Sequence, residues 1–98
     1  MNYSVVFHAD AEAEMNEAAE FLDRESPGLG MAFLAAVEKA VEQIRSSPES
    51  AQLILGRVRR RLVVKFPYAV VYSVRGTQIR ILAVAHQKRR PFYWKSRR

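Results

Sequence analysis

Arg57, Arg59, Arg60 and Arg61, with Lys65 a few residues on, gather five cations into one short stretch of chain. Guanidinium groups at that density hold phosphates or carboxylates through paired hydrogen bonds. A second cationic run, Lys88, Arg89 and Arg90, leads into Tyr93 and Trp94, and cations interleaved with aromatic rings suit a polyanion whose bases can stack. His86 and Tyr93 among these cations are residue types that move protons, and an arginine beside them would hold a scissile phosphate in RNA cleavage. Each has a plainer role as well. The arginines can be a solvated outer face or an edge strand charged against aggregation. Tyr93 and Trp94 can pack the tail onto the core, and His86 can bond locally. No acid follows Glu49, so a carboxylate base would have to come from Glu49 or from the first helix.

Other chemistries find no footing. His8 and His86 are the only histidines and there is no cysteine, so neither HExxH nor Cys/His spacing exists and no metal site is expected. There is no GxSxG elbow and no phosphate-loop lysine. Gly28-Leu29-Gly30 reads as the turn that starts a helix. No cofactor is expected.

The charge is segregated along the 98 residues. All 10 acids lie in residues 1–52, with only Arg24, Lys39 and Arg45 against them, while residues 53–98 hold 13 cations and no acid. The net +6 is therefore the sum of an acidic first half and a strongly basic second half. Such a separation predicts a basic face for a polyanion or an acidic partner. At 49% apolar residues the chain can build a core, and its length suits a single domain over 1–98. The stretch Phe66 to Val74 is too short to span a bilayer, and residues 1–8 lack the features of a signal peptide. A reducing, cytoplasmic setting fits the absence of cysteine.

Elements must position these groups. Residues 2–8 read as a short strand. Asp10 is expected to cap a helix with Ala11, Met15, Ala18 and Leu22 on one face, ending near Glu25 before Ser26-Pro27-Gly28. A second helix is expected from Leu29 to Ser46 on a stripe of Phe33, Val37, Ala40 and Ile44, folded back as a hairpin. From Arg57 the period becomes two. Val58, Arg60, Leu62, Val64 and Phe66 are expected to face the helices, and Arg57, Arg59, Arg61, Val63 and Lys65 to face away. Strands over Ala69–Val74 and Gln78–His86 follow, joined at Arg75-Gly76-Thr77. In the last strand Ile79, Ile81, Ala83 and Ala85 alternate against Arg80, Leu82, Val84 and His86, which sets His86 on the face of Arg80. Residues 87–98 form a basic, aromatic tail. The order βααβββ predicts an α+β fold, a helical hairpin on one face of a small, mainly antiparallel sheet.

Five motifs in this order resemble one family across nearly the whole chain. They are F-x-x-x-A at Phe7 to Ala11, P-x-L-G-x-x-F at Pro27 to Phe33, and R-R-x-x-x-x-F-P-Y at Arg60 to Tyr68. V-V-Y at Val70 to Tyr72 and A-V-x-H-x-x-R-x-P-x-Y-W at Ala83 to Trp94 complete the set. The pattern resembles the RelE/ParE superfamily of toxins from bacterial type II toxin–antitoxin modules. That resemblance implies a cytoplasmic toxin held in a hetero-oligomer by a cognate antitoxin with an acidic or amphipathic wrapping segment. ParE-like members inhibit DNA gyrase and cut nothing; RelE-like members cut messenger RNA on the ribosome. Nuclease members carry an arginine just before the V-x-Y strand, where this chain reads Phe66-Pro67-Tyr68-Ala69, and a lysine pair where it has Arg59, Arg60 and Arg61. The ParE-like branch is therefore expected, with Arg57, Arg59, Arg60, Arg61, Lys65, Lys88, Arg89, Arg90, Tyr93 and Trp94 as binding residues. On the RelE-like alternative, Arg61 would hold the phosphate, Arg80 the developing charge, and His86 or Tyr93 would move protons. A non-toxic nucleic-acid-binding module is the third reading.

Overall fold

The computed structural model describes residues 2–98. Among them β1 (Ser4–Phe7) is followed by α1 (Ala9–Glu25), α2 (Leu29–Ser46), β2 (Gln52–Leu55), β3 (Val58–Leu62), β4 (Tyr68–Arg75) and β5 (Gln78–His86). The strands lie in the order β1-β5-β4-β3-β2, parallel between β1 and β5 and antiparallel elsewhere. The helical hairpin covers one face of this five-stranded sheet, so the expected α+β layering holds. The strand count differs. In place of one strand from Arg57 to Phe66, the chain makes a β2–β3 hairpin that turns at Gly56, whose φ is 55°. The segment Gln52-Leu53-Ile54-Leu55 has no alternation, and its pairing slips between Leu53 and Leu55, so no local period marks it as a strand.

The cap of α1 is His8, two residues before the Asp10 expected. Its backbone is extended and its Nδ1 accepts from the Asp10 N–H at 3.0 Å. Asp10 and Glu12 stay in the first turn, where the helix dipole favours them. At the far end Asp23 Oδ1 accepts from the N–H groups of Gly28 (3.1 Å) and Gly30 (2.9 Å), occupying the start of α2. The Gly28-Leu29-Gly30 turn is thus filled by the chain's own carboxylate. Gly30 packs so closely on α1 that an added Cβ would run into the Ala19 carbonyl oxygen. The α2 stripe of Phe33, Val37, Ala40 and Ile44 is buried as the spacing predicts.

The parity of β3 is the reverse of that expected, and that of β5 holds as far as Leu82 and reverses beyond it. In β3 the helix-facing residues are Arg59 and Arg61, and Val63 beyond them is buried in the helical core. Val58 lies on the opposite face against Val71, Leu82, Ala83 and Trp94. Leu62 and Val64 are 64% and 59% exposed and are not core residues. The α2–β2 loop is the cause, because it lies over this end of the sheet and needs donors for its carbonyl groups. In β5 a bulge does the rest. Val71 pairs with Ala83 while Tyr72 pairs with Ile81, so Leu82 is an extra residue and the alternation flips across it. Ile79, Ile81 and Val84 face the helices, whereas Leu82 and Ala83 face out. Arg80 and His86 consequently lie on opposite sides. No helix among the described residues is long and apolar enough to cross a membrane.

Candidate partner-binding face

Strand alternation divides the arginine cluster between two jobs. Arg59 Nη1 donates to the carbonyls of Glu49 (2.9 Å) and Ala51 (2.7 Å). Arg61 Nη2 donates to Ser50 Oγ at 2.9 Å, and its Nη1 reaches Gln43 Oε1 at 3.4 Å. Between them Tyr72 Oη donates to the Pro48 carbonyl at 2.6 Å. Burial raises the Tyr72 pKa, and the two guanidinium groups pull it back in part. Arg59 and Arg61 thus fasten the α2–β2 loop to the sheet. Arg60 points to the other face, meets only Gln52 Oε1 among the described residues, at 3.4 Å, and is exposed. Arg57 and Lys65 sit exposed in the turns before and after β3, Lys65 at φ 70°.

The tail folds back over the outer sheet face. Trp94 is 3% exposed and seals Val58, Val71, Leu82 and Ala83, so its ring is a core group here and presents no stacking surface. What holds it begins at the edge of β5. The β1 ladder extends only to Ile81, which leaves backbone groups beyond it without a strand partner. Glu14 Oε1 accepts from the Val84 N–H at 3.1 Å, and Arg97 Nη1 donates to the Leu82 carbonyl at 3.0 Å. Glu14 Oε2 and Arg97 Nη2 then join at 3.0 Å. An ion pair between helix and tail stands in for the missing strand. Tyr93 lies within it, with Arg89 3.8 Å and Arg97 5.1 Å from its ring. Among the described residues its buried hydroxyl makes no hydrogen bond of good geometry, and burial, then the nearby Glu14 carboxylate, holds its pKa well above the usual phenol value.

Between β2–β3 and the tail runs a groove of about 570 Å³, floored in part by Ile54, Leu62 and Ala69 and rimmed by Arg60, Arg89 and Arg90. Its upper lip is a turn in which the Tyr93 N–H returns to the Arg90 carbonyl at 3.3 Å. Pro91 occupies the second position, as type II turns favour. Phe92 sits third at φ 62°, a place that favours glycine and costs a bulky residue on the order of 1–3 kcal/mol.

The groups required for RNA cleavage are not brought together. Arg61 is tied to Ser50 and Gln43 on the helical side. Arg80 and His86 are six residues apart along β5, roughly 20 Å at a strand rise of about 3.3 Å per residue. His86 Nδ1 accepts from the Lys88 N–H at 3.0 Å, and the ring meets Tyr68 edge-on at 4.9 Å. Tyr93 keeps its proton inside the tail. Sequence reasoning missed Glu14, Arg97 and Phe92. Glu14 had a signal, since it falls on the Ala11–Met15–Ala18 stripe where a carboxylate must find partners. Arg97 and Phe92 had none.

Comparison with curated protein sequences finds no match. Among solved structures the chain is similar to one described as the chromosomal ParDE TA system from P. aeruginosa. The two share 19% sequence identity at a TM-score of 0.64, covering 86% of this chain and 95% of that one. This likeness establishes the fold. The family model described as the ParE toxin of the type II toxin-antitoxin system, parDE, matches residues 5–91. With that match spanning the helical hairpin, the sheet and the basic approach to the tail, the chain belongs to the ParE toxin family of the RelE/ParE superfamily, whose members are paired with an antitoxin protein.

Proposed function

We propose that the chain is a toxin that arrests growth by occupying DNA gyrase through its outer sheet face and tail, without cutting nucleic acid. The observation that carries this reading is the split between spent and unspent groups. The candidate proton carriers and phosphate holders are committed elsewhere or lie far apart, while Arg60, Arg89 and Arg90 stand exposed around one groove. A nuclease needs its acid, base and phosphate ligand within reach of one phosphate. An occluding toxin needs only a complementary surface. In this reading the antitoxin neutralises the toxin in the cytoplasm by covering that surface with an acidic or amphipathic segment. Association is fast and salt-dependent, and apolar anchors set its lifetime.

Pulse labelling of new DNA and new protein soon after the chain is induced alone tests the proposal. DNA synthesis is expected to fall while translation continues. Immediate loss of translation would replace gyrase with messenger RNA as the target. Unimpaired growth, with a steep salt dependence of nucleic-acid binding in vitro, would instead mark a non-toxic binding module.

A further inference from the structure

We propose that Ser50 is a phosphoacceptor and that Arg61 is the receptor for the phosphoryl group it takes. The site lies on the α2–β2 loop and is independent of the toxin reading.

The first observation is a half-used arginine fork. The Nε–H and Nη2–H groups of a guanidinium lie along one edge, which grips a phosphate or carboxylate through two parallel bonds. In Arg61 the Nη2 prong donates to Ser50 Oγ at 2.9 Å. The Nε prong beside it is buried and, among the described residues, makes no hydrogen bond. A buried donor left unpaired is costly, and the hydroxyl that meets this edge carries a single oxygen. A phosphoryl group on that oxygen brings three further acceptors to the same edge.

The second observation is charge without a counterion. Arg59 donates to the carbonyls of Glu49 and Ala51, the residues on either side of Ser50. Among the described residues neither Arg59 nor Arg61 is ion-paired. Two guanidinium groups thus bracket one exposed serine. Ser46 and Ser47 are exposed nearby, but among the described residues only the Ser50 hydroxyl meets an arginine. The third observation is a small local cost. Ser50 Oγ donates to the Ser47 carbonyl at 2.9 Å, a bond that phosphorylation removes, yet that carbonyl keeps the Ser50 N–H at 3.2 Å.

The donor is a nucleoside triphosphate, used by a serine kinase. Ser50 Oγ bonds to the γ-phosphorus as the bond from that phosphorus to its bridging oxygen breaks. The nucleoside diphosphate leaves with the electron pair, and the hydroxyl proton passes to the base of the kinase. The product carries about −1.5 to −2 charges at neutral pH, and both prongs of Arg61 face it. The loop leads directly into β2, an edge strand held only by a slipped ladder to β3. Tightening the loop therefore firms β2.

The test places phosphoserine at position 50 of the full chain by stop-codon suppression. The melting temperature is expected to rise by about 4–8 °C over the unmodified chain, with slower amide exchange in residues 47–55. Phosphorus NMR should show the second ionisation of the phosphoserine below its usual value of about 6, because the fork favours the dianion. Arg61→Lys keeps a charge without the fork and should lose most of the rise, and Arg61→Ala should lose all of it. Incubating the unmodified chain with γ-labelled ATP and an extract of the cells that encode it should label Ser50, and Ser50→Ala should lose that label. A phosphoserine chain that melts at or below the unmodified one would overturn the proposal, as would a rise that survives in both Arg61 variants. Labelling that never occurs, or persists undiminished in Ser50→Ala, would do the same. An equal rise of the unmodified chain in inorganic phosphate over chloride, at matched ionic strength, would make the fork a site for free phosphate and would also overturn it.

Discussion

The two faces of the sheet are held by different means. The helical face buries Phe33, Val37, Ile44, Tyr72, Ile79 and Ile81 in a continuous core, and the cations that reach it are bound to loop oxygens. The outer face has a small apolar patch under one indole, closed by an ion pair between α1 and the tail, and Arg60 and Arg90 beside it are exposed. Neighbouring arginines of one strand fall on opposite sides of this division: Arg59 and Arg61 fasten a loop, whereas Arg60 faces solvent. A cationic cluster in sequence is thus not a cationic site until the strand's parity is known.

The comparison breaks most visibly in the helical core. Phe33→Ala should cost about 3–5 kcal/mol by urea denaturation, because the ring is fully buried and leaves a cavity. Trp94→Ala should act locally first, raising amide exchange and proteolysis in residues 87–98 before global unfolding. Gly30→Ala should cost about 1–3 kcal/mol, since the new methyl forces the two helices apart. Arg59→Ala should cost about 1–3 kcal/mol by stripping donors from the Glu49 and Ala51 carbonyls. Arg60→Ala should stay within about 0.5 kcal/mol of wild type in the same melt. Leu62→Asp, which the sequence parity predicts to unfold the protein, should also fold with a cooperative transition near that of wild type, as its 64% exposure requires.

The alkaline limb sharpens the contrast without any change at neutral pH. The folded tail raises the Tyr93 pKa above its unfolded 10.0, so the folded state keeps a proton that the unfolded state releases. Its contribution is fully present below pH 10 and lost as pH rises from there toward the folded value. Tyr93→Phe should flatten that loss in a pH series of melts.

Periodicity made the helices legible. The α2 stripe, the hairpin turn and the β4–β5 reversal follow from residues close in sequence, where spacing alone sets the face. The parity of β3 and of β5 beyond Leu82 did not follow, because neither cause is local. A bulge at Leu82 is specified by pairing with β4, and the side taken by Arg59 and Arg61 is set by a loop that needs their hydrogen bonds. β2 was hidden for the same reason: its apolar run declares no period until β3 folds onto it. At the candidate site, the cations and aromatic residues were visible as types. The clasp was not, since Glu14 and Arg97 are 83 residues apart in sequence and the Phe92 turn depends on a φ no composition reveals.

The division of labour between the faces is tested most directly by gyrase supercoiling in vitro with three purified proteins: wild type, Arg60→Glu/Arg90→Glu on the outer face, and Glu20→Lys/Glu42→Lys on the helical face. Inhibition by wild type and by the helical-face variant is expected, with loss of inhibition in the outer-face variant at an unchanged melting temperature. Inhibition that survives reversal of Arg60 and Arg90, or supercoiling that wild type leaves untouched, would contradict the account.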